Sequence, residues 1–107
     1  MLQYRHGDVG LVPVRVTKSE LAQAKRLDRL VLAEGEATGH KHQVTEADIE
    51  GAELYQLGDR MILRVTAKGG VSITHPEHAA ILVAPGAYEV RIAQEYDEER
   101  DFRKVVD

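Results

Sequence analysis

The sequence has no cysteine, no tryptophan and a single phenylalanine among its 107 residues. Without cysteine there can be no disulfide, no thiolate metal site and no cysteine nucleophile. No stretch approaches the roughly 18 apolar residues of a membrane-spanning helix. The opening residues MLQYRHGDVG lack the apolar region of a secretory signal. Positive charge is in short supply too: 14 Lys and Arg stand against 18 Asp and Glu, for a net charge of -4 with neutral histidines. Domains that bind nucleic acid or anionic membranes generally carry a basic excess. The expectation is therefore a cytoplasmic protein with no membrane partner and no general nucleic-acid binding.

What is present suits one modest core. The chain is 43% hydrophobic and 30% charged, a globular balance, and its length fits a single domain over 1–107. It contains no repeat, no low-complexity tract and no linker. Short extended runs broken by Gly and Pro, rich in Val, Ile and Thr, give the all-β pattern. The runs are Asp8 to Val16, Leu30 to Glu34, His40 to Thr45, Ala52 to Leu57, Arg60 to Ala67, VSITH, AILVA and AYEVRIAQEY. Gly58-Asp59 suits a two-residue hairpin turn with glycine first, and Pro76-Glu77 and Pro85-Gly86 mark two more turns. TKSELAQAKRLDR is the one stretch with helix chemistry, with Ser19 as a candidate cap, and EADIEG reads as a turn or loop. The expected architecture is a small sandwich or barrel of seven to nine short strands with at most one short helix. The charged tail at 97–107 reads as loose or as a short helix.

The five histidines are the unusual feature. Four of them fall in two pairs, His40-Lys41-His42 and His75-Pro76-Glu77-His78. Residues two apart on a strand share a face, with Cα atoms about 6.5 Å apart, so His40 and His42 can aim into one site. His75 and His78 flank a turn and can converge as well. Imidazole is the commonest metal ligand near neutral pH and suits zinc, iron, manganese or nickel. Glu46 is a candidate carboxylate ligand or general base, with Glu36 as the alternative. An isolated His6 reads as incidental. Tyr88, at the start of the last strand, is a further candidate for the catalytic set.

Two other readings fit the same residues. A histidine pair can serve as metal-free general acid and base in a phosphodiesterase or nuclease, with Lys41, Arg5, Arg60 or Arg64 holding phosphate. No phosphate-binding glycine loop or GxSxG nucleophile motif accompanies them. Alternatively the histidines are surface or structural residues of a non-catalytic interaction module. Thr38 and Thr74, each next to a histidine pair, can line a polar pocket or simply pack, and Tyr55 and Tyr96 read as partly buried strand aromatics.

In layout the chain resembles the cupin superfamily. Gly35, then His40-x-His42, then Glu46 resemble the cupin HxH and glutamate segment. Pro85-Gly86 resembles the later PxG turn without its middle residue, and Tyr88 stands near the position of the cupin histidine. The resemblance, over roughly residues 30 to 92, implies a metal-binding barrel whose third ligand is His75 or His78. LAEGEATGHKHQV, HPEHAAILVAPGAYEV and QEYDEE are also similar to a family of small uncharacterised bacterial and phage proteins. That similarity groups the two histidine segments and implies no particular substrate. Together these readings predict a cupin-like, histidine-rich, metal-binding β protein. Its ligands are drawn from His40, His42, His75 and His78, its cofactor is a divalent transition metal, and it acts on a small-molecule substrate if it is an enzyme. Small single-core β proteins often associate through sheet edges or faces, so a homodimer is expected.

Overall fold

The computed structural model describes residues 3–34 and 39–92. Along the chain these form β1 (Tyr4–His6), β2 (Val9–Pro13), α1 (Lys18–Gln23), β3 (Lys25–Arg26), β4 (Val31–Glu34), β5 (Lys41–Val44), a 3-10 helix (Glu46–Gly51), β6 (Ala52–Leu57), β7 (Arg60–Val65), β8 (Val71–His75), β9 (His78–Val83) and β10 (Gly86–Ile92). The strands make two antiparallel sheets, one of six strands in the order β1-β2-β10-β7-β6-β3 and one of four in the order β4-β5-β8-β9. The fold is all-β, as the strand pattern predicts, and neither sheet closes into a barrel.

Three local expectations change. The described strands number ten rather than seven to nine, because β1 and the two-residue β3 lie in segments not read as extended. EADIEG winds into 3-10 helix and adds a second short helical element. The cap of α1 is Thr17, not Ser19: Thr17 accepts from the Glu20 amide while the Glu20 carboxylate accepts from the Thr17 amide. This reciprocal capping box satisfies two amides that the helix cannot.

Alternation along the strands builds one shared core. The six-stranded sheet contributes Val9, Leu11, Leu54, Leu63 and Val65, and the four-stranded sheet Leu32, Val44, Val71, Ile73 and Val83. Removing this apolar surface from water is the main stabilising term. Tight turns fix the registers. Gly58-Asp59 closes β6 on β7 with Leu57 opposite Arg60, and Gly58 has φ 62. Gly7-Asp8 closes β1 on β2 in the same way, with His6 opposite Val9 and Gly7 at φ 64. At one end of the core the apolar rows give way to histidine. His42 lies two residues before buried Val44, His75 two residues after buried Ile73, and His6 is buried on β1.

Candidate metal centre

Strand pairing assembles three histidines from three strands. The Pro76-Glu77 turn sets His75 opposite His78 in the β8–β9 ladder. Between β5 and β8, Gln43 faces Thr74 and Val44 faces Ile73; the same register carried one residue further brings His42 beside His75. Ring centroids lie 4.3 Å apart for His42 and His75, 4.6 Å for His75 and His78, and 5.6 Å for His42 and His78. One ligating atom from each of the three lies within 4.8 Å of the other two. The two histidine pairs of the sequence therefore converge.

A fourth histidine reaches this group from the other sheet. His6 is 3% exposed and His42 5%, and their Nδ1 atoms are 2.9 Å apart. The other nitrogen of His6, Nε2, lies 2.9 Å from the Ala79 carbonyl oxygen. A carbonyl oxygen only accepts, so His6 carries its proton on Nε2 and its Nδ1 is an acceptor. His42 must then donate from Nδ1, which leaves Nε2 of neutral His42 with its lone pair. A metal-ligating imidazole commonly has its second nitrogen held by such a partner. His75 differs: its Nδ1 accepts the Glu77 amide at 3.0 Å, so neutral His75 holds its proton on Nε2.

Burial lowers the pKa of His6, and the neighbouring His78 and His75 lower it further against the opposing hydrogen bond to Ala79. Burial likewise lowers that of His42, reinforced by His75 and His6 and opposed by Asp8. Both shifts favour the neutral ring, the form that ligates a cation.

The β1–β2 turn lies against the cluster. A Cβ added to Gly7 would come 2.8 Å from His78 Nε2 and 3.1 Å from His42 Cε1, so only glycine permits this approach. Asp8, next in the turn, places Oδ1 3.5 Å from His42 Nε2. The histidines open into a cleft of about 520 Å³, whose lining includes Arg5, Asp8, Glu34, His40 and Glu77. That volume falls in the range of small-molecule sites.

Residues 5–93 match a family described as a domain of unknown function, DUF8820. The chain belongs to this family. No curated protein and no solved structure matches it. In this DUF8820 domain the chemistry must therefore be read from the site itself.

His40 precedes β5 and lines the cleft. Its ring centroid is 5.5 Å from that of His75, and its Nδ1 is 3.8 Å from Glu77 Oε2. It stands beside the triad rather than within it. Glu46 lies on the 3-10 helix and lines a different cavity with Asp28, Arg29 and Gln43; the structure does not bring it to the histidines. Tyr88 is buried in the core, with its hydroxyl donating to the Ala84 carbonyl at 2.6 Å and its ring edge-on to Tyr4. Glu36, Thr38, Tyr96 and the tail at 97–107 lie outside the described residues.

Most of the cations named for phosphate binding are paired with acids. Arg60 pairs with Glu89, Arg64 with Glu53 and Lys41 with Glu34, which leaves Arg5 on the cleft. In the sequence His6 reads as incidental and Asp8 only as the start of an extended run. The signal was present: Gly7-Asp8 repeats the Gly-Asp order that marks the 58–59 hairpin. Reading it would have predicted β1 and put His6 at the mouth of a turn.

Proposed function

We propose that this protein binds a divalent first-row transition metal through His42, His75 and His78 and presents it to a small molecule in the adjoining cleft. The observation that carries the reading is the set of three imidazole donors lying within 4.8 Å of one another. Metal–nitrogen bonds of about 2.0–2.1 Å put two ligands at most about 4.2 Å apart, so modest ring rotations close the set around one ion. Nitrogen donors with an oxygen-rich rim suit zinc, iron, manganese or nickel. Three protein ligands leave a coordination position open for water or substrate, as Lewis-acid chemistry requires. His42 is prepared for this role by its tautomer. His75 must give up the Glu77 amide, because whichever nitrogen takes the metal, Nδ1 no longer accepts from it.

The test is elemental analysis of chelator-stripped, untagged protein after incubation with each of the four metals, beside His42→Ala and His75→Ala. The expected result is near-stoichiometric metal in the parent, its loss in both variants, and a shift of the Glu77 amide resonance on loading. A parent that retains none of the four metals would overturn the proposal and leave the metal-free acid/base and interaction-module readings.

A further inference from the structure

The metal reading leaves two features of the cleft unexplained. His42 Nε2 faces Asp8 Oδ1 at 3.5 Å, although the hydrogen-bond chain from the Ala79 carbonyl through His6 leaves that nitrogen without a proton. An unprotonated nitrogen this close to a carboxylate oxygen is repelled by it unless a cation lies between them. A metal ion satisfies both atoms: two donors in a tetrahedral shell with bonds of about 2.0–2.1 Å sit about 3.3–3.4 Å apart, close to the separation found. The second feature is Gly7, whose missing Cβ lets the turn descend onto His78 and His42 and carries Asp8 to its position.

We propose that the His6-Gly7-Asp8 turn completes the metal centre, with Asp8 supplying a fourth, carboxylate donor and His6 acting as the positioning residue that fixes the tautomer of His42. The proposal rests on the metal-binding reading above and extends it to a three-histidine, one-carboxylate donor set. It also gives the site an architecture. The three imidazoles come from the four-stranded sheet, and the carboxylate and the positioning histidine come from the edge hairpin of the six-stranded sheet. The bound ion thus ties the two sheets together. Asp8 is 63% exposed at its side chain, so a substrate oxygen entering the cleft can displace it without breaking the histidine set.

The experiment uses the full chain, stripped of metal. Zinc affinity is measured by calorimetry and cobalt loading by visible absorption, for the parent, Asp8→Asn, His6→Gln and His6→Leu. Asp59→Asn, in the matching turn at the β6–β7 hairpin, is the control. Asp8→Asn is expected to weaken zinc binding by about 10–100-fold and to change the cobalt spectrum, while Asp59→Asn changes neither. His6→Leu should weaken binding by a similar factor, and His6→Gln should recover much of the loss, because its amide oxygen can accept from His42 Nδ1. A long-range proton–nitrogen NMR correlation on the metal-free parent should place the protons on His6 Nε2 and His42 Nδ1, a readout independent of whether any variant folds. If the parent binds metal and Asp8→Asn binds as tightly with an unchanged cobalt spectrum, the carboxylate assignment is wrong and the triad stands. If His42 instead carries its proton on Nε2, the role given to His6 is wrong. A parent that binds no metal overturns the underlying reading.

Discussion

Two glycines in this fold make a matched pair that isolates the site from the scaffold. Gly7 and Gly58 both open a two-residue Gly-Asp turn, with φ of 64° and 62°. An alanine at either position meets the same left-handed backbone strain, about 1–2 kcal/mol. In a domain of this size that lowers Tm by about 4–8 °C for each kcal/mol. Beyond the strain the two positions differ. Around Gly58 a Cβ meets nothing within 4 Å, whereas at Gly7 it meets His78 Nε2 at 2.8 Å and His42 Cε1 at 3.1 Å. Restoring ordinary contact at 3.4 Å moves the His78 nitrogen by about 0.6 Å, beyond the tolerance of about 0.2 Å on a metal–ligand distance. His78 is exposed and can swing aside cheaply, so the added stability cost is small while the donor set is spoiled. Thermal melts of the metal-free proteins should therefore show comparable losses for Gly7→Ala and Gly58→Ala. Zinc titration should show weakened binding only for Gly7→Ala, by about tenfold or more. Equal zinc affinity in the two variants would refute the contact argument.

The remaining expectations concern pH, the core and the helix cap. Because His6 and His42 have lowered pKa values, the unfolded chain binds more protons than the folded one once pH falls below its histidine value of about 6.5. Metal-free stability is therefore fully present above that pH and declines as pH drops toward the folded values; denaturant melts across that window check it, and a flat profile contradicts it. Tyr88→Phe removes the bond to Ala84 and should cost about 1 kcal/mol while leaving zinc affinity unchanged. A lost metal site in that variant would tie Tyr88 to the centre after all. Thr17→Ala should destabilise by about 1 kcal/mol and Ser19→Ala by much less, since the capping box belongs to Thr17; urea melts of the two variants decide it.

What the sequence determined by itself is local. Alternation marks the inward face where it is clean, as at Val71 and Ile73 of β8, because the side-chain period of a strand is two. Turn chemistry fixed the hairpins: glycine first at Gly58-Asp59 closes β6 on β7, and Pro76-Glu77 sets His75 against His78. Those features need only neighbouring residues, so they can be read in a short window. Tertiary structure decided the rest. His42 meets His75 only because β5 pairs with β8 across an intervening hairpin, a register held by the burial of Val44 and Ile73. Asp8, not Glu46, is the carboxylate that lies against His42. Four residues along the chain from His42, Glu46 is carried away on a 3-10 helix, while Asp8, 34 positions away in the sequence, is brought in by the packing of one sheet on the other. His6 looked incidental for the same reason, since its partner His42 is 36 residues distant. Period and turn type are properties of a short segment; the choice of which segments meet is made by the shared core, and it is that choice which assembled the site.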